Sequence, residues 1–166
     1  MTVDSAEFTR AMARVPAPVT VATTVTASGE HRGFTGSSFS ALSLDPPLVL
    51  ICLDKKASTH DAFTTAEHFL VNVLARGQAE VALRFAKSGV DRFADGDMVP
   101  CERGLPGLAA AAARVACSLH AVMDGGDHSI LVGRVETAYV STRTPLVYSD
   151  RAFALPVPAD RLTAVR

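Results

Sequence analysis

Between Thr35 and Ser43, five hydroxyl side chains fall within nine residues. Hydroxyls and their neighbouring amides can donate and accept hydrogen bonds, which suits a ligand rich in oxygen and nitrogen, but they cannot build a core. Further on, Lys55-Lys56-Ala57-Ser58-Thr59 supplies two ammonium groups and two hydroxyls just before a predicted helix start. That composition suits a phosphate. Between them, Asp45-Pro46-Pro47 ends the polar stretch, since proline fixes φ and pushes its predecessor towards extended geometry. Leu48 to Leu53 is then an unbroken apolar run of strand length. Either polar piece alone is ordinary for a solvated surface. In this order, a polar loop, a buried strand and a cationic helix entrance describe a phosphate-bearing cofactor laid across the end of a strand.

Other reactive residues are scattered. His128 follows Gly125-Gly126-Asp127 at the start of a predicted strand, where an imidazole could serve near neutral pH. His31, His60, His68 and His120 show no H-x-H or H-E-x-x-H spacing, so no metal site is expected. No serine stands in G-x-S-x-G and no cysteine pairs locally with a histidine, which disfavours a hydrolase. Cys52, Cys101 and Cys117 are odd in number and widely spaced, and are expected as reduced thiols of a cytoplasmic protein. Cys52, within the apolar run, is expected as a small core residue.

The 166 residues, 48% hydrophobic and 20% charged, suit one domain over 1–166 with its core at about 8–155. A net charge of −1 gives no electrostatic reason to expect nucleic acid or an anionic membrane as partner. The N-terminus lacks the basic and apolar regions of a signal peptide, and no apolar run nears the ~20 residues of a membrane span.

The elements that must position these groups are mostly strands. Ser5 to Arg14 is a predicted helix with Ser5 as N-cap, stopped by Pro16-Ala17-Pro18. Val19 to Thr26 is rich in β-branched residues, and the turn Ser28-Gly29-Glu30 returns the chain as a hairpin partner over His31 to Thr35. Ser58 and Asp61 resemble a capping box for a short helix to about Ala66. His68 to Leu74 is a predicted strand and Gln78 to Lys87 a helix. Ser88 to Pro106 is expected as a mobile surface loop. Leu108 to Ala116 suits a helix, and Val115 to Met123 suits a strand equally well. Ser129 to Val140 is a long strand hinged at Asp124 to Asp127, and Leu146 to Tyr148 with Ala152 to Leu155 forms a last hairpin. Many strands with few short helices predict a mainly β, closed or partly closed antiparallel barrel. Alternating βαβ units, G-x-G-x-x-G and G-x-x-x-x-G-K are all missing.

An ordered set of residues resembles the short-chain flavin reductases, which supply reduced flavin to two-component monooxygenases. It comprises Val19-Thr20-Val21, Gly33-Phe34-Thr35, Leu42-Ser43-Leu44-Asp45-Pro46-Pro47-Leu48-Val49-Leu50, Val71-Asn72-Val73-Leu74, Arg84-Phe85-Ala86, Gly126-Asp127-His128, Gly133-Arg134-Val135 and Pro145-Leu146-Val147-Tyr148. The resemblance implies a split antiparallel β-barrel of Greek-key type with a few short flanking helices. It also implies a homodimer with FMN or FAD near the subunit interface, NADH or NADPH as hydride donor, and a flavin-dependent oxygenase partner. Thr35, Gly36, Ser37 and Ser38 would then face the flavin ring, and Leu42 and Ser43 the ribityl chain. Lys56, Ala57 and Ser58 would hold the phosphate, with Phe85 packed near the flavin. His128 would sit by the nicotinamide, and Tyr148 at the far side. The sequence departs from the family pattern at Ser37, where many members have asparagine, at Ala41, where many have serine, and at Pro18, which replaces a glycine. The first two changes remove flavin hydrogen bonds and leave FMN and FAD both open. A non-catalytic flavin-binding protein for storage or sensing is the alternative, as is a reductase that keeps its flavin as a prosthetic group.

Overall fold

Val21 and Ala22 point to opposite faces of one strand, and both are fully buried. In the computed structural model, which describes residues 2–159, this strand is β2 (Thr20–Val25). Burial on both faces explains its continuous β-branched composition. It belongs to an antiparallel sheet of seven strands in the order β3-β2-β6-β9-β10-β5-β4. The remaining members are β3 (His31–Gly36), β4 (Ser40–Ser43), β5 (Leu48–Asp54), β6 (His68–Val73), β9 (Ala113–Gly125) and β10 (His128–Val140).

Strands β3 and β4 are consecutive in the chain yet form the two edges of the sheet. The short segment between them therefore requires the sheet to roll until its edges meet. The roll brings β3 against β5, the strand next to the other edge: at Gly36 a Cβ would stand 3.0 Å from Cδ1 of Ile51. Phe34, Ile51, Phe63, Phe69 and Leu131 fill the interior. Strands β3 and β5 pack without a hydrogen-bonded ladder between them, so the architecture is the mainly β split barrel expected.

Among the described residues three α-helices decorate it: α1 (Ser5–Ala13), α2 (His60–Thr64) and α3 (Ala79–Ala86). Helix α3 lies against the outer face of β2 and β3, with Phe85 and Ala82 in a second cluster that includes Val19, Val21 and Leu146. Gly33 makes that approach possible, because a Cβ there would sit 2.7 Å from Cε1 of Phe85. Asn72 is fully buried. Its side chain donates to the Val21 carbonyl at 3.0 Å and accepts from the Leu108 amide at 2.9 Å, so this polar residue joins strands.

The sequence expectations need five corrections in detail. Asp4, rather than Ser5, caps α1, its carboxylate accepting from the Glu7 amide at 3.3 Å. Helix α2 starts at His60 behind Thr59, and Thr59 makes no side-chain capping bond, so Ser58 and Asp61 form no capping box. The hydroxyl-rich stretch is a true loop only between β3 and β4. Leu108 ends a short strand, residues 109–112 form a turn, and Ala113 to Ala116 already belong to β9, so no helix forms; the alanines pack against the barrel, with Ala111 and Ala116 fully buried. The stretch 88–106 contains β7 (Met98–Pro100), paired with β8 (Pro106–Leu108), and a 3-10 turn at Glu102–Gly104. Its first half is fastened by Arg84, whose Nε donates to the Arg92 carbonyl at 2.9 Å and whose other nitrogens reach Asp95 and Asp97. The last hairpin pairs β11 (Val147–Ser149) with β12 (Ala152–Ala154), and β11 also takes β1 (Ala17–Pro18).

Candidate functional site

A cavity of about 530 Å³ opens where β3 and β5 end. Phe34 to Ser38 form one wall, Cys52 to Asp54 and Lys56 to Thr59 another, and Phe85, Ala86, Ser88 and Arg92 close it from the α3 side. His128 stands on its rim. Of the residues singled out from the sequence, Thr35, Gly36, Ser37, Ser38, Lys56, Ala57, Ser58, Phe85 and His128 are thus brought together.

Three are not. Leu42 and Ser43 belong to the edge strand β4, and Leu42 is half exposed. Tyr148 lines a smaller groove of about 230 Å³ behind the end of β3, shared with Thr35, Gly36 and Ser37 and walled by Leu83 and Phe153.

Several hydroxyls expected to face a ligand are already engaged. Thr35 donates to the Ala82 carbonyl at 2.6 Å, which ties β3 to α3. Ser38 accepts from the Cys52 amide at 2.8 Å and so fixes the loop over β5. The exposed Ser37 lies between them. Cys52 is half-buried on the cavity wall rather than in the core, because alternation along β5 turns Ile51 and Leu53 inward. Cys117 is the core thiol, and burial pushes it up to about 12.

The two lysines separate in role. Lys55 turns away to the β9–β10 hairpin, where its ammonium meets Asp124 and the Gly126 carbonyl. The Asp124 carboxyl is held below its ordinary value by that hydrogen bond. Lys56 stays on the cavity. On the rim, Nδ1 of His128 lies 2.7 Å from Oδ1 of Asp127, a hydrogen bond that holds the Asp127 carboxyl low. His60 reaches Ser129 at 2.9 Å and so ties α2 to β10 beside that rim.

Two functional candidates were not legible in the sequence. Thr59 stands in the stretch whose composition suits a phosphate, but nothing in the sequence sets it apart from Ser58. Its hydroxyl is the buried side-chain oxygen left without a hydrogen-bond partner among the described residues, and Thr59 is only 4% exposed on the cavity wall. A buried orphan hydroxyl costs about 1–3 kcal/mol unless a ligand satisfies it, so the residues present fit a phosphate-bearing group. Arg92 lay in a stretch without periodicity, and no sequence signal marked it. Its guanidinium reaches across to the Gly33 carbonyl and back to the Lys87 carbonyl. Burial lowers it from its ordinary value. Among the described residues, Arg84 and Arg114 each meet carboxylates, whereas Lys56 and Arg92 do not. Beyond Arg92 lies a second cavity of about 570 Å³, lined also by His31, Asp91 and Phe93. No group of three metal-ligating side chains occurs among the described residues, and none of their helices is long and apolar enough to cross a membrane.

The sequence pattern of the flavin reductase like domain matches residues 12–155. The chain is 41% identical over 155 residues to the actinorhodin polyketide dimerase of Streptomyces coelicolor, covering 93% of this chain and 88% of that one. It is 37% identical over 155 residues to the reductase component of the 4-nitrophenol 4-monooxygenase/4-nitrocatechol 2-monooxygenase of Rhodococcus opacus, covering 93% and 83%. Among solved structures, the NADH:FAD oxidoreductase of Streptomyces globisporus in complex with NAD and FAD fragments superposes with a TM-score of 0.87 at 39% identity, covering 96% of this chain and 98% of that one.

Proposed function

The chain belongs to the flavin reductase like domain family, and from that premise we propose that it is an NAD(P)H-dependent flavin reductase supplying reduced FMN or FAD to a partner monooxygenase. The observation that carries the reading is the cavity at the ends of β3 and β5, where one wall holds the Thr59 hydroxyl and Lys56, the first without a hydrogen-bond partner and the second without a carboxylate among the described residues. A bound flavin supplies the hydride-accepting chemistry, so no protein nucleophile is required.

The chain's own residues bind and orient. Gly36, Ser37 and Ser38 offer backbone and hydroxyl groups to the polar edge of a ring, with Thr35 and Phe85 fixing the wall behind it. Lys56, Ala57 and Ser58, now joined by Thr59, take the phosphate. His128 orients the nicotinamide at the rim, held through Nδ1 by Asp127 and keeping Nε2 for the ligand. For Leu42, Ser43 and Tyr148 a contact with the ligand requires a second subunit or a longer reach than this cavity offers.

A twofold dimer is supported by apolar surface that one copy leaves uncovered. Phe8 and Met12 on α1 and Val15 just beyond its end are about half exposed, and Leu44 beside the edge strand β4 is 91% exposed. The free thiols Cys52, Cys101 and Cys117 support the reducing cytoplasm. The described residues share one main sheet, which supports the single domain expected. No observation favours the non-catalytic alternative.

The direct test mixes the protein anaerobically with NADH or NADPH and FMN or FAD. Bleaching of the yellow flavin absorbance, faster than without protein, is expected. No acceleration with any of the four combinations would defeat the reading.

A further inference from the structure

Two walls of the cleft come from separate segments and share a side-chain contact that lies outside it. The turn bearing Lys56, Ala57, Ser58 and Thr59 follows β5 and ends in α2, whereas His128 opens β10. Backbone fastens the start of that turn to β10: His128 lies opposite Asp54 in the ladder, and the Lys55 amide donates to the Asp127 carbonyl at 3.0 Å. The end of the turn has no ladder, because α2 belongs to no sheet. Phe63, fully buried in the barrel core, fixes how deep α2 sits, but apolar burial is non-directional. Direction comes from His60, whose Nε2 lies 2.9 Å from the Ser129 hydroxyl oxygen. Among the described residues no other hydrogen bond leads from α2 to a strand.

The two partners depend on each other. Ser129 is 6% exposed and its hydroxyl has no other partner among the described residues, so without His60 it would be a buried orphan. His60 is itself mostly covered, with Nδ1 turned towards the exposed Asp61 at 3.5 Å. Neither residue lines the cavity. His60 directly follows Thr59, however, and Ser129 directly follows His128. Resting on the flavin reductase reading, we infer that His60 is a positioning residue for the reaction: through Ser129 it sets the phosphate-suited turn relative to His128, and so the alignment of flavin with nicotinamide. Each ligand keeps its own contacts when that tie is cut. What is lost is their mutual placement, on which the rate depends steeply.

The test compares the unmodified protein with His60→Leu, Ser129→Ala, the double variant, and His60→Gln, whose amide nitrogen can take the place of Nε2. Flavin affinity is read by fluorescence quenching. Flavin reduction is read by anaerobic stopped-flow bleaching over a range of nicotinamide concentrations, with the faster of NADH and NADPH. The limiting rate should fall roughly tenfold in His60→Leu and in Ser129→Ala, with flavin affinity and half-saturating nicotinamide within about twofold. The double variant should be slower than the slower single one by no more than about twofold, because both cut the same tie. His60→Gln should recover most of the rate. If His60→Leu fails to fold, Ser129→Ala, which removes a single oxygen, decides. A limiting rate unchanged in the single variants overturns the inference, even where the melting temperature falls, and leaves the pair purely structural. A slowing matched by an equal loss of flavin affinity overturns it too, as does His60→Gln as slow as His60→Leu. If the unmodified protein reduces neither FMN nor FAD, the underlying reductase reading has failed, a result distinct from all the others.

Discussion

The two sides of the cleft are held in different ways. The strand side, from Gly33 to Ser38 and Cys52 to Thr59, hangs on β-ladders and on a core in which Ile51, Phe63 and Phe69 are fully buried. The α3 side continues into residues 87–97, which pair with no strand and are fastened mainly by two arginines. One side owes its position to cooperative burial, the other to a few charged contacts. Damage to the first should appear as lost stability, and damage to the second as altered ligand selection.

The sharpest way to break this contrast is to strike where the sides touch. Gly33→Val drives a side chain into Phe85, whose Cε1 stands 2.7 Å from the ideal Cβ, and the Ala22 carbonyl at 3.0 Å blocks retreat. Overpacking of this kind costs about 2 kcal/mol. A lowered melting temperature together with lost flavin binding is expected; an unchanged melting curve would show that α3 is not held by the barrel.

Arg84→Met loosens the α3 side alone, leaving Asp97 without its cation. A loss of about 1–2 kcal/mol in urea unfolding is expected, with flavin affinity falling further than that stability loss explains. Equal losses in both would erase the distinction between the sides.

His128→Ala tests the rim. KM for NADH should rise roughly fivefold to tenfold with flavin affinity nearly constant, because a group touching only the second substrate contributes nothing to binding of the first. Unchanged kinetics with a lowered melting temperature would leave His128 as a turn residue.

The smallest effect belongs to Lys55→Met on the strand side. Its partner Asp124 is exposed, and its carboxyl is held below its ordinary value by the Lys55 hydrogen bond. A depressed carboxyl stabilises the fold above its unfolded pKa of about 4, and that contribution vanishes as pH falls through the lower folded value. The variant should therefore show a slightly lower melting temperature at neutral pH and none of that difference in strong acid. A difference that persists in acid would assign Lys55 another role.

The strands were legible wherever burial imposed a period or a β-branched run, as in β2, β5, β6 and β10. Predicted and observed limits there differ by a residue or so. The helix proposed at Leu108 failed because helix propensity is a weak local preference, and alanine packs equally well in a turn against a barrel. The cavity wall from Phe34 to Ser38 was legible through its hydroxyls and through the family resemblance. The duties of those hydroxyls were not, since whether Thr35 meets Ala82 or a ligand depends on where α3 docks.

By itself the sequence determined the strand-rich character, the rolled antiparallel sheet and the stretch that meets the ligand, because these follow from side-chain period, turn residues and local composition. Tertiary structure alone decided which cation faces the cleft. Lys55 and Lys56 are adjacent and chemically identical, yet one is spent on the hairpin at Asp124 and the other lines the cavity. Arg92 comes to the cavity wall through long-range contacts: Arg84 holds its segment, and Gly33 lets α3 approach β3. Charge in a sequence is a count, and a partner exists only once distant segments have been brought within a few ångströms of each other.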